Sequence, residues 1–134
     1  MNKTGELFYI KVYFWSLKEQ LYRDCWLAVD TGASVTALSR NALMFLGYNL
    51  SGDGPLEKIR TASGIEFVPK IILGKMRFGG CELENIEAHA IDFPDIFLIG
   101  VIGLNILTKF DINFLFSKNI LEFTPIDEEA VSFA

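Results

Sequence analysis

The strongest constraint on this chain is the passage from Trp26-Leu27-Ala28-Val29 into Asp30-Thr31-Gly32-Ala33. An unbroken apolar run of this kind reads as a strand covered on both faces. Asp30 therefore stands at the end of a buried strand, on a turn that Gly32 lets the backbone make. On these residues alone two readings stay open. Asp30 caps its own loop as an Asx turn, or it is a reactive acid held at the rim of the core. The chain contains no second Asp-Thr-Gly and no Asp-Ser-Gly.

Around this feature the pattern is mostly strands. Leu7 to Trp15 is rich in aromatic and β-branched residues and reads as a strand. Ser16 to Asp24 is a polar hairpin connection, and Cys25 to Val29 returns as the second strand. After the acid turn, Ser39 reads as a helix N-cap and Gly47 as the left-handed residue that ends the helix. Asn49 to Pro55 is a loop. Leu56 to Thr61 and Ile65 to Leu73 form a hairpin across Ala62-Ser63-Gly64. Lys75 to Phe78 and Cys81 to Ile91 form another across Gly79-Gly80. Leu98 to Ile102 is a short apolar strand leading into a helix over Gly103 to Lys109. Asp111 to Phe116 and Ile120 to Phe123 make the last hairpin. The expected fold is all-β, a small closed barrel-like lobe with one or two short helices. Val29-Asp30-Thr31-Gly32 and Ile102-Gly103 each carry a strand through a turn toward a helix, an internal echo that suggests an approximate two-fold axis.

Composition narrows the class. The 134 residues suit one domain, with a core over about 7–123 and a polar tail over 124–134. Hydrophobic residues make up 51% of the chain, which argues against disorder. Twelve Lys+Arg against 17 Asp+Glu give a net charge of -5 with no basic cluster, so nucleic acid is not an expected partner. The longest apolar run, Ile96 to Thr108, is interrupted by Gly100 and Gly103 and falls short of the ~20 residues a membrane helix needs. No signal peptide pattern opens the sequence. Cys25 and Cys81 lack metal-ligand spacing; one disulfide between them is an open alternative, and two reduced, partly buried thiols in a reducing compartment are the favoured reading. The expectation is a cytoplasmic protein with no membrane partner.

The Asp-Thr-Gly-Ala tetrapeptide, the glycine-bearing hairpin about 30 residues later and Val101-Ile102-Gly103-Leu104-Asn105-Ile106-Leu107 about 70 residues later form an ordered set. This set resembles the retropepsin-like aspartic proteases, the single-lobe group, and the Thr61-Ala62-Ser63-Gly64 tip is more similar to bacterial than to viral members. The resemblance covers about Leu7 to Phe123. It implies that Asp30 is the catalytic acid, with Thr31 locking the paired active-site loops and Gly32 completing the motif. It implies further that Ala33 lines the cleft, and that Ala62, Ser63, Gly64 and Ile65 form a flap over bound peptide. Ile99 and Val101 would build side-chain pockets, and Gly103 would let its strand cross behind the acid loop. No cofactor and no metal are implied.

With one acid motif per chain, the resemblance implies a homodimer in which a second Asp30 completes the site. The substrate would be a polypeptide, cut within extended hydrophobic segments. Retroviral members usually carry an acid just after the tetrapeptide and an Arg after the second-motif glycine, and these pair and help hold the dimer. Ser34 and Leu104 stand there instead, so dimer stabilisation must differ. A catalytically silent peptide-binding or dimerisation module of the same fold is the alternative, and a domain that processes only its own polypeptide is a third reading. His89, the sole histidine, reads as a strand residue. Cys25, Trp15 and Trp26 read as packing residues, and Asp111 as the start of the terminal hairpin.

Overall fold

Alternation in the first long strand already decides which side of it faces the core. In the computed structural model, which describes residues 2–4, 7–52, 54–61, 64–94, 97–126 and 131–132, strand β2 spans Leu7–Ser16. Phe8, Ile10, Val12 and Phe14 are buried, while Lys11 and Tyr13 between them are exposed, as period-two alternation requires. A short β1 (Asn2–Thr4) pairs antiparallel with its start. Strand β3 (Leu21–Val29) returns antiparallel, from Ser16↔Leu21 to Tyr9↔Ala28.

The acid turn follows β3 and leads into β4 (Thr36–Ser39) and helix α1 (Arg40–Phe45). The hairpin of β5 (Leu56–Thr61) and β6 (Gly64–Phe78) comes next, then β7 (Cys81–Ile91). Strand β8 (Gly100–Ile102) and helix α2 (Leu104–Leu107) precede a last hairpin of β9 (Phe110–Leu115) and β10 (Ile120–Pro125), with a 3-10 turn over Phe116–Lys118 between them. A final β11 (Val131–Ser132) pairs with the start of β7.

Strands β2, β3, β8, β4, β7 and β6 follow one another in the sheet, and pairing of Phe14 with Met76 brings β6 back to β2. The six strands thus close a barrel and leave it no open edge. Leu27, Leu38, Leu73, Met76, Ile102 and Ile106 fill it. Strand β8 lies between β3, to which it is parallel, and β4, to which it is antiparallel. The segment joining β3 to β4 must therefore loop over the end of β8, and this crossing places the acid turn against the second motif.

Several element boundaries differ from the expectations. Strand β3 begins at Leu21 rather than Cys25, because the exposed polar residues Arg23 and Asp24 still pair with Phe14 and Tyr13 of β2. Between the acid turn and α1 lies β4, which the sequence reading passed over. Lys75 to Phe78 is not a separate strand, since β6 runs unbroken through Gly74. Helix α2 is a single turn, shorter than Gly103 to Lys109, and β10 runs on to Pro125. Ser39 does cap α1, its Oγ accepting the Ala42 N–H at 3.1 Å, and Gly47 takes a φ of +97°. Asp127, Glu128 and Glu129 lie outside the described residues. No helix among the described residues is long and apolar enough to cross a membrane.

Candidate active site

The acid loop is held from beneath. Asp30 donates its N–H to the Ile102 carbonyl at 3.0 Å, which continues the β3–β8 pairing by one residue. The loop then turns on itself, with Ala33 N–H donating to the Asp30 carbonyl at 3.2 Å. Gly32 N–H donates to Asp30 Oδ1 at 2.9 Å. The Asx turn is therefore present, and its bond fixes the orientation of the carboxylate. Asp30 is half-buried, and Thr31 and Gly32 are exposed. The loop presents its acid to the outside of the single chain.

The second motif grips the far side of the loop. Leu104 N–H donates to the Ala33 carbonyl at 2.8 Å, and Asn105 N–H to the Ser34 carbonyl at 3.1 Å. Gly103 passes so close that an added Cβ would lie 2.7 Å from the Val35 carbonyl carbon and 2.8 Å from the Ala33 oxygen. Glycine is needed here for close approach, not for φ, which is an ordinary -98°.

A polar knot, which the sequence reading missed, secures this crossing. Thr36 is fully buried. Its Oγ1 accepts the Gly103 N–H at 3.0 Å and donates to Asn105 Oδ1 at 2.9 Å. The same Oδ1 accepts the Thr36 N–H at 2.8 Å, and Asn105 Nδ2 donates to the Glu87 carbonyl at 2.8 Å. One threonine and one asparagine so tie β4, β7, β8 and the start of α2 together. Buried polar groups satisfied in this way specify a single arrangement. Asn105 was visible in the second motif, but its partner stands 69 positions away.

The other expected residues are placed unevenly. Val101 lies between Ala28 and Ala37 in the sheet, in line with the acid loop. The Ile99 carbonyl accepts the Ser39 N–H at 2.7 Å, and Ile99 lines a cavity of about 390 Å³ between β3, α1 and residues 91–93 and 98–99. Asp30 is not on the wall of that cavity, and Cys25, which is, precedes Asp30 by ~17 Å of extended strand. Gly64 and Ile65 sit at the base of the β5–β6 hairpin tip, Gly64 with φ +124° and Ile65 about half exposed. Ala62 and Ser63 lie outside the described residues.

Residues outside these groups take structural roles. His89 is buried, and its Nε2 has no hydrogen-bond partner among the described residues. Both cysteines are free. Burial, with a smaller contribution from Asp24, pushes the Cys25 thiol up to about 12, so it stays protonated and unreactive. No group of His, Cys, Asp and Glu suited to a metal ion occurs among the described residues.

Residues 23–109 match the family described as "gag-polyprotein putative aspartyl protease". The chain belongs to this retropepsin-like aspartic protease family. The match takes in the acid loop, the β5–β6 hairpin and the second motif. Among solved structures, a retropepsin-like aspartic protease from Rickettsia conorii is similar, with 26% sequence identity and a TM-score of 0.59. The similarity covers 81% of this chain and 76% of that one. No curated protein matches the sequence. The likeness to a bacterial member agrees with the expectation drawn from the hairpin tip.

Proposed function

We propose that two copies of this chain form an aspartic endopeptidase, with one Asp30 from each copy completing a catalytic pair. The observation that carries this reading is the acid loop itself. A half-buried carboxylate is oriented by the Gly32 N–H, on a loop fastened from both sides, and it opens outward from the chain. A binding module has no need to hold a carboxylate so firmly at a surface where a second copy would have to meet it.

The chemistry follows from proximity. Two carboxyls about 3 Å apart cannot both ionise, so the pair retains one shared proton. The ionised member acts as general base on a water between them. The protonated member polarises the scissile carbonyl and then supplies a proton to the departing amine. Thr31 braces the two loops against each other, and Gly32 and Ala33 offer backbone groups to the substrate. The β5–β6 hairpin, with Ala62, Ser63, Gly64 and Ile65 at its tip, closes over an extended peptide and excludes water. Val101 and Ile99 contribute apolar pocket walls. The substrate is a polypeptide, bound through an extended hydrophobic segment.

The test is cleavage of a peptide library between about pH 3.5 and 7, the range in which such pairs work, with Asp30→Asn as the control. Sequence-selective cleavage that Asp30→Asn abolishes supports the reading. Cleavage that survives the substitution overturns it, and so does a folded, dimeric wild-type chain that cuts nothing.

A further inference from the structure

The acid loop stands where β3 and β8 end, at one mouth of the barrel. The cavity of about 390 Å³ lies at the opposite mouth, beside the starts of β3 and β8 and the ends of β4 and β7. Its floor belongs to the core. Phe14 and Leu38 are 2% and 0% exposed, and Leu46, just after α1, is 5% exposed. Half-buried Cys25 and Leu98 add apolar walls. Small-molecule sites enclose ~300–1,000 Å³, are mainly apolar with a few polar groups, and recur in the mouths of β-barrels.

The polar groups at the rim decide what such a molecule must carry. Arg23, Asp24, Arg40 and Asp92 all line the cavity, and their charges cancel. Arg23 already grips both carboxylate oxygens of Glu19. Asp24 is held by Lys11 at 3.1 Å. Arg40 meets Asp92 through Nε alone, at 3.4 Å, and the Asp92 side chain is 80% exposed. The terminal nitrogens of Arg40 have no partner among the described residues. A guanidinium presents a planar fork that matches a carboxylate, and here half of that fork is unused. With a single free fork and two carboxylates on the rim, a monoanion suits the site better than a dianion. A second cavity, of about 290 Å³, is lined by Lys11 and Arg77. Both cations there are already paired, with Asp24 and Glu82.

We propose that this mouth binds an amphipathic monocarboxylate, a fatty acid of medium length. The hydrocarbon tail lies over Phe14, Leu38 and Leu98, and the carboxylate takes the terminal N–H groups of Arg40. The site is separate from the acid loop and does not depend on the pairing of two acids.

Isothermal titration of the full chain with decanoate tests this. Saturable binding is expected. It should be about tenfold weaker for octanoate, which has two methylenes fewer, and about tenfold weaker for decanol, which lacks the charge. In Arg40→Gln, decanoate should fall to the affinity of decanol while decanol itself is unmoved. Ala42→Phe and Leu98→Trp add bulk at two walls of the cavity and should abolish binding of both. Circular dichroism reports folding, and where a filled variant unfolds the Arg40→Gln comparison decides. Amide shifts locate the ligand, moving at Cys25, Leu38 and Leu98 and staying fixed at Asp30 and Thr31. Four results each overturn the proposal: decyltrimethylammonium binding as tightly as decanoate, Arg40→Gln binding decanoate unchanged, shifts confined to the acid loop, or no saturable binding up to about 1 mM. All four leave the protease reading intact, because that reading concerns the other mouth.

Discussion

At the scale of single residues, the crossing behind the acid loop tolerates nothing larger than glycine at 103. A methyl group there meets backbone atoms of Ala33 and Val35 at 2.7 to 2.8 Å, and backbone cannot rotate aside as a side chain can. Gly103→Ala is expected to cost about 3 kcal/mol or to prevent folding, at the upper end of overpacking penalties. A urea unfolding midpoint measures it. Asn105→Ala strips the Thr36 N–H, the Thr36 hydroxyl and the Glu87 carbonyl of their common partner. Each unpaired buried group costs about 1–3 kcal/mol. The expected loss is about 3 kcal/mol, together with a fall in kcat, because the loop loses its fixed position. Asn105→Asp keeps the acceptor but not the donor and is expected to fall between the two. The aspartate and the glycines were legible because their chemistry is local. The knot was not, because a threonine and an asparagine 69 positions apart look like ordinary polar residues until the sheet order is known.

A second residue-scale prediction concerns acid. Glu82 accepts the Tyr22 hydroxyl and the Arg77 Nε–H. The Tyr22 bond is the main cause holding its carboxyl below the usual range, partial desolvation opposes it and Arg77 reinforces it. A carboxyl depressed in the folded state stabilises the fold in full above its unfolded value of about 4.3. That contribution fades as pH falls through the lower folded value. Unfolding midpoints measured downward from about pH 5 should therefore drop more steeply in the wild type than in Glu82→Gln.

At the scale of elements, β6 forms one arm of the β5–β6 hairpin, and its pairing with β7 changes character at Gly74. There the N–H bonds to the Tyr48 hydroxyl at 2.8 Å. Asn85, in the part of β7 that faces Gly74, takes a φ of +53°. On the hairpin side of this point Leu73 and Ile86 pair and are buried, while beyond it Met76 and Leu83 do so. The ladder thus exchanges its buried face, as a local irregularity in a strand pair permits. This exchange explains why Lys75 to Phe78 read as a separate strand: the alternation changes phase at Gly74 while the backbone continues. The first half of β3 was obscured differently, because Arg23 and Asp24 are polar and read as hairpin connection although they pair with Phe14 and Tyr13 of β2. Strand β4 has only four residues, three of them buried, too few to show a period. Tyr48→Phe removes the acceptor for Gly74 and is expected to cost about 1 kcal/mol. Amide exchange should quicken at Gly74 and along the hairpin more than in β2 or β3, because the lost bond steadies only the strand that carries the hairpin.

At the scale of the whole molecule, the barrel closes within a single chain through β2 and β6, so the core belongs to one copy and a lone copy is expected to fold without its partner. On the proposed reading one lobe supplies one acid, only the site is divided, and activity is a property of pairs. Specific activity is therefore expected to rise with protein concentration until dimers predominate, while the circular dichroism spectrum stays constant. Mixing gives a sharper measurement. Asp30→Asn keeps the size and shape of the side chain on the acid loop, so it is expected to pair as the wild type does. Added in equal amount to the wild type at fixed total concentration, it forms mixed pairs statistically. Only pairs with two intact acids can share a proton between carboxyls, so activity falls to about a quarter of the all-wild-type value. A fall to about half would mean that each chain works alone and would refute the divided site.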